Sequence, residues 1–321
     1  MATSTDDCFL SAPTTEERIL PPIPAAPLPG DCCGTGCCPC VHDLYQQDMV
    51  RWKKQCDQIK QEPLPGNELL KEQNKSVIQS TSYRLFKISH IQQISSDTFV
   101  YTFLIENSLC LPLKIGQHII LKQRKNDGTT ISRQYTPISA LNEMGKFEVL
   151  IKLYSKGKMS ELVNNWEVGD EIPWRGPFGT FSYTKNSFKC IVLLAAGTGI
   201  APLYQVIRTI VADDEDETIL VLLYSSKTFN DILLRLELLE LTSQWNFSMK
   251  HFLSQENDLG KKKYREHVEA HRMTKQDVKL TIQNGPFSST LLLICGTKSF
   301  VKDMINCGKD VEINDDCMFI F

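Results

Sequence analysis

The pattern of hydrophobic and polar positions changes its period in the middle of the chain. Five short runs alternate apolar and polar residues, and they lie at 83–91, 98–105, 117–124, 133–139 and 146–154. A period of two is typical of strands with one buried face, and turn-forming residues such as Asn-Asp-Gly at 126–128 separate the runs. The pattern predicts an antiparallel barrel or sandwich with one short helix over 157–166.

The second half of the chain has continuous apolar runs instead of alternating ones. Such runs lie at 189–197, 218–226, 246–254 and 290–296. Helical patterns lie between and after them, at 201–212, 230–245 and 298–308. Strands that alternate with helices predict a parallel sheet covered on both faces. The expected architecture is therefore an all-β domain followed by an α/β domain.

The N-terminal part of the chain has neither pattern. Residues 1–30 are rich in Pro, Ser, Thr and Ala and predict a disordered tail. Apolar residues recur at helical spacing from Val41 to Trp52, which predicts a short amphipathic helix. We therefore divide the chain into a tail, a cysteine-rich segment, a linker, a β domain and an α/β domain, at 1–30, 31–58, 59–80, 81–182 and 183–321.

Composition narrows the class of protein. Hydrophobic residues make up 42% and charged residues 23% of the 321 residues, and the net charge is −3. That charge gives no reason to expect a nucleic-acid partner. No apolar run approaches the roughly 20 residues of a membrane-spanning helix. The N-terminus lacks a signal-peptide pattern and has Ala2 in place of the Gly needed for myristoylation. We expect a cytoplasmic monomer with reduced thiols.

Five of the twelve cysteines lie within nine residues. Their spacing is compatible with zinc or an iron–sulfur cluster if Cys56 or His42 supplies a further ligand. The alternative is a reduced, metal-free segment or one that binds a partner, and we assign no metal site. The five residues are Cys32, Cys33, Cys37, Cys38 and Cys40.

A glycine-rich turn follows the first buried strand of the α/β domain. Gly197 and Gly199 would let a ligand approach the backbone, and the following helix, with Pro202 in its first turn, would offer free N–H groups to a pyrophosphate. Cys295 and Gly296 end another strand and would face the same crevice. The alternatives without a ligand are a tight turn that packs a helix on the sheet, for Gly197 and Gly199, and a buried core residue, for Cys295.

Asp231 follows the next strand of the α/β domain. An acidic side chain at this place can accept hydrogen bonds from ribose hydroxyls and repel a 2′-phosphate. It can equally cap a helix, and both roles are compatible.

The β domain contains a segment suited to a planar, phosphorylated ligand. Arg133 carries a five-donor fork that matches phosphate, Tyr135 a flat ring, and Thr136 and Ser139 short hydroxyls. Alternation along a strand would put Arg133, Tyr135 and Pro137 on one face. Gly-Lys-Met-Ser at 157–160 is a second candidate phosphate cradle at a helix start.

These motifs resemble those of a known family. Arg-Gln-Tyr-Thr-Pro-Ile-Ser resembles the Arg-x-Tyr-Thr/Ser-x-x-Ser flavin motif of the ferredoxin-reductase superfamily. The segments GKMS, RGPFG, GTGIAP, DILLR, CG and the aromatic C-terminus CMFIF follow in the order seen in NADH-cytochrome b5 reductases. The resemblance covers residues 81–321, and the cysteine-rich segment resembles a short oxidoreductase-like N-terminal module.

The resemblance implies a ferredoxin-NADP reductase-like fold, with an antiparallel FAD-binding β-barrel followed by an NAD-binding parallel-sheet domain. It also implies a reductase that passes a hydride from NADH to FAD and then single electrons to cytochrome b5 or a similar haem protein. An acceptor at the endoplasmic reticulum would recruit such an enzyme to that membrane. The alternative is a weakly catalytic scaffold or partner-binding protein that retains the fold.

The resemblance also implies residue roles. Arg133 would bind the FAD pyrophosphate, Tyr135 would pack on the flavin, and Thr136 and Cys295 would lie at the reacting centre. The other implied cofactor-binding residues are Gln134, Ser139, Leu150, Lys152, Tyr154, Lys158, Met159, Ser160, Gly197, Thr198, Gly199, Pro202, Asp231 and Gly296. The chain departs from the family where Thr297 follows Cys-Gly instead of Pro, and where Gln134 follows Arg133 instead of the more frequent Pro or Ala.

Overall fold

The computed structural model describes residues 23–24, 26–27, 41–61, 77–125, 127–283 and 289–321. The predicted tail falls almost wholly outside these ranges, as do Cys32–Cys40 and most of the predicted linker. The predicted helix after the cysteines is present as α1, Val41–Gln61.

The first six strands form one antiparallel sheet with the order β4-β3-β6-β1-β2-β5. The strands are β1 Arg84–Ser95, β2 Thr98–Leu104, β3 His118–Arg124, β4 Thr130–Tyr135, β5 Lys146–Lys152 and β6 Glu171–Phe178. Helix α2, Lys158–Val163, lies between β5 and β6.

The sheet closes into a barrel because the chain beyond β4 reaches β5. Pro137 forms an antiparallel bridge with Val149, and the Ile138 N–H donates to the Glu148 carbonyl at 2.8 Å. A barrel is therefore present, and not a sandwich. Closure removes the free strand edges that would otherwise pair with other chains.

The alternating residues of the strands fill the barrel interior. Phe147, Val149 and Ile151 of β5 point into this core, as the period of two predicts. Trp174 is fully buried there and meets Phe103 edge-to-face at 5.3 Å between ring centroids.

The remaining six strands form an entirely parallel sheet with the order β10-β9-β8-β7-β11-β12. The strands are β7 Cys190–Ala196, β8 Ile219–Ser226, β9 Phe247–Leu253, β10 Val268–Glu269, β11 Thr290–Cys295 and β12 Met318–Ile320. The helices are α3 Ile200–Val211, α4 Arg235–Leu241, α5 Lys275–Gln283 and α6 Lys298–Asp310. Separate apolar clusters lie on the two faces of the sheet, so the predicted fold class is confirmed.

One predicted element is wrong in its extent. The helical pattern at 230–245 yields α4 only at Arg235–Leu241. Phe229, Ile232, Leu233 and Leu234 are all buried, and successive residues of a helix rotate by about 100° and cannot all face one core. The chain instead makes a 3₁₀ turn at Phe229–Asp231, and Leu234 takes a left-handed φ of 56°.

Strand β6 and helix α5 were not predicted, and neither were strands β10 and β12. Strand β10 has only two residues, and β12 has three that extend the parallel sheet beside β11. Elements this short carry no detectable period, and tertiary contacts decide their conformation.

A glycine at the junction of the barrel with the parallel sheet has a strict steric role. Gly116 has a φ of 76°, and a Cβ added there would lie 2.4 Å from the Phe181 ring. Gly145 has a nearly identical φ of 78° but open space within 4 Å. A comparison of substitutions at Gly116 and Gly145 therefore distinguishes the cost of backbone strain from the cost of a steric clash.

We expect Gly145→Ala to lower the free energy of unfolding by about 1 kcal/mol, the cost of a left-handed conformation for an L-residue. Gly116→Ala should lower it by about 3 kcal/mol, because overpacking of Phe181 adds to the same strain. Urea denaturation measures both values. Equal losses would contradict the predicted clash.

Candidate functional site between the barrel and the parallel sheet

The glycine turn joins β7 to α3 and lies against the end of β11. Gly197 has a φ of 54°, and no atom lies within 4 Å of the place its Cβ would occupy. A Cβ on Gly199 would lie 2.3 Å from the Cys295 carbonyl oxygen. Glycine is therefore required for the two strand ends to meet, and the predicted proximity of Gly197–Gly199 to Cys295 and Gly296 is present.

Helix α3 begins without a side-chain cap, and its first N–H, that of Ile200, donates to the carbonyls of the glycine turn. Gly199 precedes the helix and provides no side-chain cap, and Pro202 lies in the first turn. The positive end of the helix dipole favours an anion at this place. Thr198 is half-buried within the turn.

Arg133 lies on β4 with most of its hydrogen-bonding capacity unused. One guanidinium nitrogen donates to the Ser132 carbonyl at 2.7 Å. Among the described residues, no carboxylate lies within ion-pair distance of this half-buried cation. A half-buried guanidinium without a counter-charge fits an anionic ligand such as a pyrophosphate.

Two neighbours of Arg133 also have polar groups without internal partners. The side-chain nitrogen of Gln134 is buried and has no hydrogen-bond partner. The Thr136 hydroxyl is half-exposed and makes no hydrogen bond to any described residue. Since buried polar groups in proteins are normally paired, these groups fit a polar ligand along β4.

Tyr135 supplies a fixed aromatic surface next to Arg133. Its ring packs against the barrel core and meets Trp174 edge-to-face at 5.7 Å. Burial raises the pKa of its phenol well above the ordinary value, so the hydroxyl stays protonated.

Several other predicted site residues make internal contacts that build the scaffold. The Ser139 hydroxyl accepts from the Glu148 N–H at 3.1 Å, and the Ser160 hydroxyl accepts from the Tyr154 N–H at 2.9 Å. Leu150 is only 3% exposed and packs in the core of the α/β domain. A contact of the Leu150 side chain with a ligand is therefore not evident, and its role remains a prediction.

Lys152 forms an ion pair with Asp97 at 2.8 Å. Burial opposes the charged carboxylate, but the hydrogen bonds from Lys152 and Thr98 outweigh it and hold the pKa of Asp97 below its ordinary value. This pair ties the end of β5 to the turn between β1 and β2.

The segment after β5 presents exposed groups. Tyr154 is 57% exposed and Lys158 is exposed, whereas Met159 is buried. A Cβ on Gly157 would lie 2.6 Å from the Ser160 hydroxyl, so glycine permits this tight turn into α2.

The barrel and the glycine turn face one another across β5. Strand β5 packs against Gly197–Gly199, and Leu150 shares an apolar cluster with Ala195 and Ile200. Leu150 and the glycine turn, which were predicted for two different cofactors, therefore lie at one junction.

Asp231 lies in the 3₁₀ turn beyond β8 and acts as a cap. One of its carboxylate oxygens, Oδ2, accepts from the Thr228 N–H at 3.0 Å and from the Thr228 hydroxyl at 2.7 Å. The other oxygen, Oδ1, has no such bond in the described structure. The capping alternative is thus present, and it leaves an acceptor available to a ligand.

Tyr224 is a site residue that the sequence patterns did not identify. Its buried hydroxyl donates to the Gly197 carbonyl at 3.0 Å and accepts from the Leu233 N–H at 3.3 Å. It therefore ties the glycine turn to the loop that carries Asp231. A tyrosine within an otherwise apolar buried strand is the available signal, since its hydroxyl needs a partner there.

A buried ion pair fixes the chain just after Asp231. Arg235 donates to both oxygens of Glu266, at 2.6 and 2.7 Å, and Glu266 is only 1% exposed. Burial opposes the charged carboxylate, but the Arg235 hydrogen bonds lower the pKa of Glu266. Nearby His251 stays neutral, because burial lowers its pKa to about 4.

The Cys295 thiol is neutral. Burial raises its pKa to about 12, and it donates weakly to the Phe321 carbonyl at 3.8 Å. The thiolate is the nucleophilic form of cysteine, so Cys295 is suited to noncovalent contact and not to covalent catalysis.

The chain matches three family models. Residues 85–183 match the oxidoreductase FAD-binding domain, residues 193–305 the oxidoreductase NAD-binding domain, and residues 18–61 the N-terminal domain of oxidoreductase-like proteins. A human NADH-cytochrome b5 reductase-like protein is 36% identical over 312 residues, which cover 96% of this chain and 97% of the relative. The chain belongs to the NADH-cytochrome b5 reductase family.

Other relatives agree with this assignment. A Dictyostelium discoideum NADH-cytochrome b5 reductase 1 is 33% identical over 78% of this chain and 85% of its own. The cytochrome b5 reductase domain of Ulva prolifera nitrate reductase has the same fold, with a TM-score of 0.66, 23% identity, and coverage of 77% of this chain and 100% of that domain. The chain is therefore an oxidoreductase with FAD-binding and NAD-binding domains, as predicted.

In the described parts of the chain, no helix combines the length and apolarity needed to cross a bilayer. The cysteine cluster lies outside those parts, so both alternatives for Cys32–Cys40, a metal site and a metal-free segment, stay predictions.

We expect Tyr224→Phe to weaken NADH binding and to lower the free energy of unfolding by about 1–3 kcal/mol, because the Leu233 N–H and the Gly197 carbonyl lose a buried partner. Calorimetric titration with NADH and urea denaturation measure the two effects. Tyr101→Phe is the matched control, since Tyr101 is buried in the barrel and its hydroxyl bonds to no described residue. Equal behaviour of the two variants would contradict the proposed tie.

Proposed function

We propose that the protein is an NADH-dependent flavoprotein reductase that passes single electrons to cytochrome b5 or a similar haem protein. The observation that carries this proposal is one short segment with a guanidinium that has no carboxylate partner at Arg133, an unpaired buried amide at Gln134 and an unpaired hydroxyl at Thr136. This segment closes the barrel on β5, and β5 packs against the glycine turn. FAD, when bound, accepts a hydride from NADH and releases electrons one at a time.

The β4 residues would hold the flavin. Arg133 would meet the pyrophosphate charge, because its guanidinium has no carboxylate partner among the described residues. The Tyr135 ring, fixed against Trp174, would lie along the planar ligand. The Thr136 hydroxyl would donate a hydrogen bond at the reacting edge, and Tyr154 and Lys158 would cover the exposed side.

The residues at the carboxyl ends of the parallel strands would orient NADH. The absence of side chains at Gly197 and Gly199 would let the nicotinamide half approach the backbone. The protonated Cys295 thiol would add no charge beside it. The free oxygen of Asp231 would accept from a ribose hydroxyl, and its charge would repel a 2′-phosphate.

The rival function is a scaffold or partner-binding protein with little catalysis. Burial of the core accounts for the fold in either case. The scaffold function gives no reason for one short segment to hold a guanidinium without a carboxylate partner, an unpaired buried amide and an unpaired hydroxyl. The names of the relatives favour cytochrome b5 as the acceptor, and recruitment to the endoplasmic reticulum through that acceptor stays a prediction.

The absorbance spectrum of the purified protein tests the function. We expect a yellow protein with a flavin spectrum that NADH bleaches without oxygen, followed by reduction of added cytochrome b5. Arg133→Leu should lose FAD on gel filtration while it keeps its circular dichroism spectrum, because the pyrophosphate charge would be unmet. A colourless protein that FAD cannot reconstitute would support the scaffold function instead.

We expect Asp231→Asn to reduce the preference for NADH over NADPH by about tenfold, equivalent to roughly 1.4 kcal/mol of relieved repulsion. Asparagine retains an oxygen that can accept from Thr228, so the turn should survive the loss of charge. The kcat/KM ratio for the two coenzymes measures the effect. Asp258→Asn removes an equal charge from a similar cap, where the carboxylate accepts from the Gly260 N–H, and should leave the ratio unchanged.

A further inference from the structure

Helix α3 reaches from the glycine turn to the barrel through one buried side chain. Gln205 is 3% exposed and accepts a hydrogen bond from the Gly116 N–H at 2.7 Å. Its amide nitrogen donates to the Gln117 carbonyl at 3.4 Å. A single side chain therefore satisfies a backbone donor and a backbone acceptor of the turn that precedes β3.

A second side chain of α3 reaches the seam where the barrel closes. Arg208 donates from its guanidinium to the Ile138 carbonyl at 2.8 Å, and the guanidinium lies over the Tyr204 ring at 5.5 Å. Ile138 belongs to the same short segment as Arg133, Tyr135 and Thr136. The helix that begins at the glycine turn is thus hydrogen-bonded to the segment with the flavin motif.

The apolar packing around these bonds does not define the relative orientation of the two halves. Ile138, Leu150 and Phe181 of the first half pack with side chains of α3 such as Leu203 and Ile207. Apolar burial is non-directional, whereas a hydrogen bond weakens steeply outside a narrow range of distance and angle. The bonds from Gln205 and Arg208 therefore restrict rotation and sliding of α3 across the barrel.

We propose that Gln205 and Arg208 are positioning residues that fix the glycine turn relative to the flavin strand, and so set the geometry of hydride transfer. Their hydrogen bonds go to the backbone of the barrel, so they act through the helix that carries the turn. The proposal rests on the proposed reductase function. A misplacement of about 1 Å can cost two orders of magnitude in rate, so a small rotation of α3 suffices.

The first test needs no cofactor. Hydrogen–deuterium exchange followed by mass spectrometry should show at least fivefold faster exchange of the Lys114–His118 amides in Gln205→Leu, because the Gly116 N–H loses its acceptor. Thr209→Val is the control, since the Thr209 hydroxyl bonds only within the helix, to the Gln205 carbonyl, and its exchange should match wild type. Unchanged exchange in Gln205→Leu would overturn the proposal.

The second test measures flavin reduction by NADH in an anaerobic stopped-flow instrument. Arg208→Met should lower the limiting rate about tenfold and change the NADH dissociation constant less than threefold, with the same FAD content as wild type. Arg208→Lys, which keeps one donor, should recover part of the rate. A limiting rate within twofold of wild type in Arg208→Met, with only a lower melting temperature, would assign Arg208 a purely structural role and overturn the proposal.

If Arg208→Met does not fold, Arg208→Lys and Gln205→Leu provide the same test. For both we expect slower flavin reduction than in wild type, at unchanged FAD content. Normal rates in both would overturn the proposal. If wild-type protein holds FAD but NADH does not reduce it, the proposed function has failed. The exchange experiment then still decides whether Gln205 fixes α3 on the barrel.

Discussion

The closure of the barrel at Pro137 and Ile138 is the constraint on which the rest of the structure depends. The bridge from Pro137 to Val149 joins the last strand edge to β5 and completes the core around Trp174. Arg133, Tyr135 and Thr136 directly precede Pro137 and Ile138 in the chain. Because the Ile138 carbonyl also accepts from Arg208, the parallel sheet is held at that seam. The closure of the barrel, the side chains proposed to bind the flavin and the junction with the second half therefore share one segment.

The polar groups of the site fall into two sets with different physical roles. Ser139, Ser160 and Lys152 satisfy backbone or carboxylate groups of the barrel, so they stabilise the scaffold before any ligand binds. Arg133, Gln134 and Thr136 have groups that no described residue pairs. Burial of unpaired polar groups is unfavourable, and a bound ligand that pairs them would gain the corresponding free energy.

The loop with Asp231 shows how the proposed specificity residue is held in place. The Thr228 N–H donates to the Asp231 carboxylate. Tyr224 ties the backbone at Leu233 to the glycine turn, and Arg235 pairs with buried Glu266. Tyr224 lies within β8, Thr228 follows that strand, and Glu266 precedes β10. Thr228 thus holds the carboxylate directly, and the contacts of Leu233 and Arg235 hold the chain that follows it.

The sequence by itself determined the two fold classes, because periods of two and continuous apolar runs follow directly from one-sided and two-sided burial. It also determined the chemical types at Arg133, Tyr135, Thr136 and the glycine turn, since few residues can bind phosphate or admit a backbone approach. Only the tertiary structure decided that α4 begins at Arg235, because three consecutive buried side chains, Ile232–Leu234, override helical spacing. It also revealed Tyr224, Gln205 and Arg208, whose partners lie 9 to 89 residues away in the chain. Hydrogen bonds across such separations leave no period in a sequence, so the contacts that orient the two halves appear only once the chain is folded.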